Sequence, residues 1–209
     1  MVLVRLLVSG EMKDDIFNTV RCITLAIGLS LFWGFVGGVL VYALPRLRRM
    51  LDPLLATYYA FPHFILYPLL LVLFGMGPLP LIILGFLSGV IAMVINTLNG
   101  LDRIPLVYRK TARVLRMGRV RTSWFIILPS AASYIFTGVK LAVAYAFIGI
   151  IGGEFILSAG GIGNQISALY YAFDNEKMYA VILFVLILVI LINMVLQSWE
   201  AKLASRQTR

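Results

Sequence analysis

Residues 53–101 form one long stretch that contains no Asp, Glu, Lys or Arg. A helix needs about 20 apolar residues to cross the roughly 30 Å of hydrocarbon in a bilayer, so this stretch has room for two crossings and must turn between them. The sequence Gly-Met-Gly-Pro-Leu-Pro at residues 75–80 is its strongest turn signal. We therefore predict two membrane spans, over residues 55–74 and 81–98, and expect the two prolines inside the first span to bend it.

Three more runs have the length and the apolar composition of membrane spans, at residues 22–45, 130–152 and 178–199. The whole chain is 61% hydrophobic and 13% charged, whereas soluble domains are about 45–50% apolar and about 25% charged. The sequence therefore predicts an all-α integral membrane protein with about five transmembrane helices.

The basic residues indicate how these spans are oriented. Most of the 18 Lys and Arg residues fall in three clusters beside the spans, at residues 46–49, 103–121 and 202–209. Cytoplasmic loops of membrane proteins carry an excess of Lys and Arg, and five spans place all three clusters on that side only if the C-terminus is cytoplasmic. The net charge of +9 therefore marks membrane orientation and does not indicate nucleic-acid binding.

This topology divides the chain into an external segment, one membrane domain and a tail. The boundaries are residues 1–15 for the N-terminal external segment, 16–200 for the transmembrane domain and 201–209 for the basic cytoplasmic tail. An external N-terminus with no preceding signal is difficult to insert into a membrane. We therefore expect a further helix upstream of this sequence.

The loop at residues 102–129 is the most basic part of the chain outside a hydrophobic segment, with six Arg and one Lys against the single acid Asp102. A helix over about residues 107–117, ended by Gly118, would carry an apolar strip flanked by Arg. On the residues alone, three interpretations stay open for this helix. It could be a solvated positive-inside loop, an interfacial helix that binds lipid headgroups, or a helix that docks into a groove of a partner protein.

The loop and its Leu128-Pro129 ending resemble the signature loop of permease subunits of bacterial ABC importers, the binding-protein-dependent type I family. In that family the loop begins Glu-Ala-Ala, has a Gly further on and ends in Leu-Pro. Counting back from Pro129 puts Lys110-Thr111-Ala112 at the Glu-Ala-Ala position and Arg116 at the Gly position. Two marker residues of the family pattern therefore differ in this chain.

Other stretches resemble the nitrate, sulfonate and taurine branch of the same family. They are Leu51-Asp52-Pro53-Leu54-Leu55, Phe61-Pro62, Phe74-Gly75-Met76-Gly77, Gly138-Val139-Lys140-Leu141-Ala142, and Gly153-Glu154-Phe155 with Gly160-Gly161-Ile162-Gly163. The resemblance covers roughly residues 15–200. It implies the type I ABC importer transmembrane domain with a cytoplasmic coupling helix, in a multi-pass protein of the bacterial plasma membrane. The family's first helix is the one expected upstream.

The resemblance implies a permease that forms the translocation path for a small anionic solute, such as a sulfonate, taurine or nitrate, by alternating access. The implied partners are cytoplasmic ABC ATPase subunits, a periplasmic or lipid-anchored substrate-binding protein, a second permease copy and the lipid bilayer. Import of a pyrimidine-type vitamin precursor is an alternative. So is a non-transporting membrane scaffold whose basic loop recruits a cytosolic protein.

We do not expect this chain to be an enzyme or to hold a cofactor or metal. It has no Gly-Lys-Ser/Thr phosphate loop, no cluster of His, Cys and acidic residues with metal-ligand spacing, and no nucleophile with a plausible base. ATP would be bound and hydrolysed by the partner subunit.

The predicted ATPase contact is a continuous run in the basic loop. Its members are Lys110, Thr111, Ala112, Arg113, Val114, Leu115, Arg116, Met117 and Gly118. Within this run, we expect the three larger apolar residues to fill a groove of the partner and the arginines at 113 and 116 to meet acidic side chains.

Three residues are candidates for the translocation path. Lys140 is the one charge deep in a span, and it is either a counter-charge for an anionic substrate or a cation held by helix-end carbonyls or a neighbouring polar group. Asn96 lies near the predicted end of a span, where a helix cap is the alternative to a ligand. Glu154, with the glycines after it, belongs to an outer gate, to a contact with the binding protein, or to a plain surface loop.

Overall fold

The computed structural model describes residues 6, 10, 12–157 and 160–207, and every regular element among them is helical. The predicted all-α class is therefore confirmed. The main helices in chain order are α1 (Lys13–Ala43), α2 (Pro45–Ala60), α3 (Tyr67–Phe74), α4 (Pro78–Asp102), α5 (Leu106–Val114), α6 (Leu128–Leu157), α7 (Ile162–Tyr171) and α8 (Asn175–Gln207).

The spanning helices are longer than the uncharged runs that predicted them. Helix α1 begins at Lys13, well before residue 22, and its first turn contains Asp14 and Asp15. Acidic side chains are favourable at a helix N-terminus, where the backbone carries a partial positive charge. The uncharged stretch therefore marks the part of a helix that lies in hydrocarbon, while the helix itself continues into the polar region.

The bend predicted in the span over residues 55–74 is present at Pro62, where it is sharp enough to break the helix. Helix α2 ends at Ala60, a 3₁₀ turn covers His63–Leu66, and the two parts meet at 86°. The break follows from Pro62, since Phe61 before it is extended (φ −76°, ψ 129°), as a residue preceding proline prefers. The other proline, at position 68, lies in the first turn of α3, which tolerates it.

The predicted turn before the third span is confirmed at Gly75, which has a positive φ of 76°. Helix α4 then begins at Pro78 and runs to Asp102. Within the described residues, four helices are long and apolar enough to cross a membrane, and the broken segment makes a fifth if it counts as one span.

Helix α4 is the centre of the bundle and packs between α1 and α6. Small residues allow the close approach: a Cβ added to Gly38 of α1 would lie 2.7 Å from the Cβ of Thr97 in α4. A Cβ added to Gly89 would lie 2.8 Å from the hydroxyl of Ser30 and 2.9 Å from the carbonyl oxygen of Ala142 in α6. Helices associate in lipid through such close van der Waals packing, because lipid gives no hydrophobic drive between them.

The two ends of the bundle carry different chemistry. Helix α5 and the basic loop lie where α1 and α4 end, and short α and π turns at Arg119–Thr122 and Ser123–Ile127 lead from this loop into α6. Helix α7 packs at the opposite end, against α6, α8 and the beginning of α1. The last spanning helix, α8, leaves most of its surface exposed.

Candidate coupling surface and translocation path

Helix α5 is the predicted coupling helix, and it is amphipathic. Ala112 packs into the protein with 3% of its surface exposed, whereas Leu106, Val107 and Val114 are 72%, 66% and 81% exposed. Leu115, just past the helix, is 63% exposed. An exposed apolar strip of this kind, on a helix anchored by one small buried residue, is the form of a docking surface.

The helix is shorter than the predicted 107–117, and Gly118 does not end it. The chain leaves α5 at Arg116, which takes a left-handed conformation with φ of +48°. The backbone N–H of Met117 donates to the carbonyl of Ala112 (2.9 Å), and the N–H of Arg116 donates to that of Arg113 (3.0 Å). This pair of bonds is the Schellman motif, in which glycine is the usual left-handed residue. Arg116 therefore stands, with the backbone of a glycine, where the family pattern has Gly.

Gly118 has a different role from the predicted one, because it begins the next turn. Its carbonyl oxygen accepts hydrogen bonds from the backbone N–H of Thr122 (2.9 Å) and from the hydroxyl of the same residue (3.0 Å). Gly118 itself is exposed. A helix end was predicted in this region, but at Gly118 instead of at Arg116.

Arginine side chains fix the coupling helix to the spans. The guanidinium of Arg109 donates to the hydroxyl of Tyr42 at the end of α1 and to the carbonyl of Leu101 at 3.2 Å. The same guanidinium lies 5.7 Å from the centre of the Tyr42 ring. One side chain therefore joins α5 to both α1 and α4.

A second connection joins the start of the loop to α2. Arg48 donates to both carboxylate oxygens of Asp102, with one N–O distance of 2.6 Å, and also lies 3.8 Å from Asp52. Paired hydrogen bonds of this type fix the orientation of both partners. Nearby, Arg103 donates to the hydroxyl of Tyr134 in α6 at 3.0 Å. Asp102, the one acid in the basic loop, therefore ties the end of α4 to α2.

The rest of the predicted contact run is at the surface. Lys110, Thr111, Arg113 and Arg116 are exposed, and Met117 is half-buried. The apolar surface also continues beyond the run, through residues that the sequence reasoning did not assign to it: Val120, Trp124 and Phe125. Apart from the buried Ala112, the coupling candidates thus lie at the surface, with exposed arginines beside exposed apolar side chains.

Lys140, the charge deep in α6, has an acidic partner. Its Nζ lies 2.5 Å from a carboxylate oxygen of Glu200 in α8, and both side chains are largely covered. Pairing offsets part of the cost of holding a charge within the apolar part of the bundle. Of the two interpretations of Lys140, this geometry favours the cation held by a neighbouring group.

Asn96 lies inside α4, because the helix continues to Asp102 beyond the predicted end at residue 98. Its side-chain amide donates to the carbonyl of Ala92 one turn earlier, at 2.8 Å. The alternative of a helix cap was therefore wrong for this residue. At the actual end of the helix, the backbone N–H of Arg103 donates to the backbone carbonyl of Asn99 (3.2 Å).

Glu154 lies at the other end of the bundle and is 1% exposed. Its carboxylate accepts hydrogen bonds from the hydroxyl of Thr19 (2.8 Å) and the backbone N–H of Gly163 (2.9 Å). Asp15 accepts the backbone N–H of Gly161 at 2.7 Å. Both carboxylates therefore lie at the N-terminus of α7, where the helix dipole favours negative charge. The alternative of a plain surface loop was wrong for Glu154, which holds α7 against α1.

Comparison with known protein families gives one match that covers most of the chain. Residues 26–209 match the family described as binding-protein-dependent transport system inner membrane component. The chain belongs to this family.

Relatives of this transport component come from several importers. The chain is 33% identical to the bicarbonate transport system permease protein CmpB of Synechococcus elongatus, over 74% of this chain and 57% of the relative. It is 28% identical to the nitrate import permease protein NrtB of Leptolyngbya laminosa, over 77% of this chain and 57% of the relative. It is 25% identical to the taurine transport system permease protein TauC of Escherichia coli strain K12, over 87% of this chain and 66% of the relative. The chain thus spans a little over half the length of the first two relatives.

A solved structure shows the same fold. A chain of the inward-facing MetNI methionine ABC transporter superposes with a TM-score of 0.78, covering 92% of this chain and 95% of the other, at 18% sequence identity. The predicted type I importer transmembrane fold is therefore confirmed, although little of the sequence is shared.

For a transport component, the features that sequence reasoning missed are the partners of its charged residues. Glu200, Arg48 and Tyr42 were not assigned any role, and each holds a residue of the coupling loop or a span in place. The sequence did contain one signal of the Arg48–Asp102 pair, since Asp102 is the only acid among the arginines of the loop. The ring of Tyr42 gave no signal, because tyrosine is common at the ends of membrane spans.

Proposed function

We propose that this chain is the permease subunit of an ABC importer and forms the path by which a small anionic solute, such as a sulfonate, taurine or a nitrate-like ion, crosses the plasma membrane. Membership of the binding-protein-dependent transport family supports the proposal. So do the names of the relatives, which concern bicarbonate, nitrate and taurine, all small and most of them anionic.

The observation that carries the proposal is the exposed apolar strip of α5, a helix that hydrogen bonds join to two spanning helices. Val114 and Leu115 project from the protein, while Arg109 joins α5 to α1 and α4. The bond between Arg48 and Asp102, the last residue of α4, joins α4 to α2. A purely solvated loop would not need such an apolar surface. A helix that transmits force between a partner and the spans needs both features.

The partner that fits this surface is a cytoplasmic ATPase subunit. Its groove would cover the apolar strip, and acidic side chains at the groove's rim would pair with Arg113 and Arg116. ATP is bound and hydrolysed in that subunit, and its closure moves α5 and the attached spans between inward-open and outward-open arrangements. This chain therefore acts as a transport component that uses no cofactor of its own.

The remaining partners are a substrate-binding protein outside the membrane and a second permease copy, together with the surrounding lipid. In this arrangement the C-terminus is cytoplasmic: Arg48 of the first basic cluster and the loop that carries α5 lie at one end of the bundle, basic residues mark the cytoplasmic side, and a fifth span would bring the C-terminus to that side. The end that holds Glu154 and α7 then faces the binding protein.

Replacement of Leu115 by Asp tests the coupling surface. A carboxylate in an apolar groove has lost its water without gaining a partner, so we expect co-purification of the ATPase subunit and solute uptake each to fall at least about tenfold. Both are measured on the assembled complex in proteoliposomes. Tyr171→Asp is the matched control for co-purification of the ATPase, because it places the same charge at a highly exposed aromatic position at the other end of the bundle.

The outcomes separate the alternatives. Normal uptake by Leu115→Asp rules out the assignment of α5 as the coupling helix. If the wild-type complex keeps its ATPase but imports no anionic solute, the substrate is of the pyrimidine type or the protein is a non-transporting scaffold. Uptake of a labelled pyrimidine precursor by the same complex distinguishes these two.

A further inference from the structure

The break in the second span requires an explanation of its own. The helix stops at Ala60, and two extended residues precede the 3₁₀ turn that begins at His63. A helix end leaves carbonyl groups without partners, and hydrocarbon offers none. Non-helical backbone is therefore tolerated at membrane depth only where protein or a cavity surrounds it.

A cavity of about 130 Å³ lies against this break. Its walls are formed by the broken segment, α4 and α6, through Tyr59, Phe61, Pro62, His63, Phe64, Ser88, Ile91, Tyr145, Ile148 and Gly149. We call it the aromatic chamber. Since liquid water occupies about 30 Å³ per molecule, the chamber has room for an ion or head group of a few heavy atoms.

The aromatic chamber lies near the middle of the membrane domain. Ser88 is about 15 Å along α4 from the helix start at Pro78, and Tyr145 is about 26 Å along α6 from its start at Leu128, by the 1.5 Å rise per residue. The two helices run in opposite directions across the bundle. A cavity at mid-depth, beside a discontinuous span, is the arrangement in which transport proteins hold their solutes.

The polar groups of the chamber are neutral hydrogen-bonding groups. The hydroxyls of Tyr59 and Tyr145 are 2.8 Å apart and share one hydrogen bond, so one of the two hydroxyl protons is left to donate elsewhere. The Nε2 atom of His63 is buried and has no hydrogen-bond partner among the described residues. Its ring is held by contact with Tyr58, at 4.5 Å between ring centres.

The walls of the chamber carry no charged side chain, which bears on the class of ligand it can hold. No Asp, Glu, Lys or Arg is among the lining residues, so an anion meets no carboxylate and a cation finds no counter-charge. Aromatic rings present partly positive edges. Lys140, the basic residue within α6, does not line the chamber and is paired with Glu200. Neutral donors bind an anion weakly, and weak binding lets a transported ion leave again.

We propose that the aromatic chamber is a transit site for the oxyanion group of the solute, a planar or tetrahedral XO₃ group of the nitrate, bicarbonate or sulfonate kind. A hydroxyl of the Tyr59–Tyr145 pair and the imidazole of His63 donate to its oxygens. This inference rests on the proposed permease function and gives that function a site in this chain.

Removal of the hydroxyl groups tests the chamber directly. The variants Tyr59→Phe and Tyr145→Phe keep both rings but remove the donors. In proteoliposomes that contain the full complex with its ATPase and binding protein, we expect solute imported per ATP hydrolysed to fall about tenfold in the double variant, because hydrogen bonds to a charged group are lost. Tyr179→Phe, on the exposed surface of α8, is the matched control and should import normally.

The charge preference is tested by a second variant. His63→Asp places a carboxylate in the chamber, and we expect it to suppress import of nitrate, bicarbonate and ethanesulfonate while ATPase activity stimulated by the loaded binding protein persists. Persistent ATPase activity shows that the variant has folded and assembled.

The two levels of the proposal fail in different ways. If the wild-type complex imports none of the three anions, the proposed function is overturned. If the wild-type complex imports one of them, and the double Tyr variant and His63→Asp import it with unchanged yield per ATP, the permease function stands and the chamber is not on the path.

Discussion

At the scale of single residues, the structure changes the interpretation of nearly every charged or polar candidate by giving it a partner. Lys140 pairs with Glu200, Glu154 is enclosed by Thr19 and Gly163, and Asn96 bonds to its own helix. In an apolar surrounding, a polar group is stable only when it is paired. A polar residue in a span therefore identifies a contact first, and a binding role needs a further observation.

The pairing of Lys140 with Glu200 leads to a prediction about stability. Lys140→Gln or Glu200→Gln leaves one charge unpaired, and we expect each to destabilise the protein by about 1.5–3 kcal/mol. The double variant should lose less than the sum of the two, because neither charge remains. Thermal midpoints of the purified protein in detergent measure this coupling, and strictly additive losses would contradict the pair.

The same pair predicts an effect on transport. Because Glu200 already neutralises Lys140, uptake affinity for an anionic solute should not change in the double variant. A large loss of affinity there would restore the counter-charge interpretation of Lys140.

At the scale of elements, the end of α5 shows how backbone geometry can persist when a residue type changes. The left-handed position of the Schellman motif is occupied by Arg116, although a side chain there costs about 1–2 kcal/mol relative to glycine. The two backbone hydrogen bonds of the motif are nevertheless formed. The left-handed conformation at residue 116 thus ends α5 and turns the chain toward α6, whichever residue type occupies the position.

Arg116→Gly should therefore stabilise the end of the coupling helix. We expect the amides of Arg116 and Met117 to exchange hydrogen about fivefold more slowly in this variant, since about 1 kcal/mol of backbone strain is removed. Hydrogen exchange with mass spectrometry measures the effect. Arg113→Gly is the control within the same helix, and it should accelerate exchange, because glycine weakens a helix interior. Faster exchange in Arg116→Gly would contradict the assignment of strain.

At the scale of the whole molecule, the two ends of the bundle differ in charge and in the element that closes them. Arg109 fixes α5 at one end, where Arg48 and Asp102 also join α2 to α4, while Asp15 and Glu154 fix α7 at the other. The positive-inside rule assigns the first end to the cytoplasm. The basic end that carries α5 therefore faces the cytoplasm, and the end that carries α7 and the two carboxylates faces outside.

A cysteine probe at position 118 tests this orientation. Gly118 is exposed, and a Cβ added there meets no atom within 4 Å, so Gly118→Cys should fold normally. In a Cys22→Ser background, we expect a membrane-impermeant thiol reagent to label inside-out vesicles and to leave intact cells unlabelled. Labelling of intact cells would place α5 outside and overturn the proposed coupling role.

The sequence by itself determined the membrane class, the approximate positions of the spans and the location of the coupling loop. These depend on long apolar runs and on clusters of Arg and Lys, and both signals are local in the chain. The left-handed position in the loop was missed, because the residue that stands where the family pattern has a glycine is Arg116, and the helix was expected to continue to residue 117.

Only the tertiary structure decided the chamber beside Phe61-Pro62, the partner of Lys140 and the burial of Glu154. Each depends on residues that are far apart in sequence, such as Tyr59 with Tyr145 and Thr19 with Glu154. Hydropathy is averaged over a window of neighbouring residues, so it reports that a segment enters the membrane. It carries no information on which side chain of another helix that segment meets.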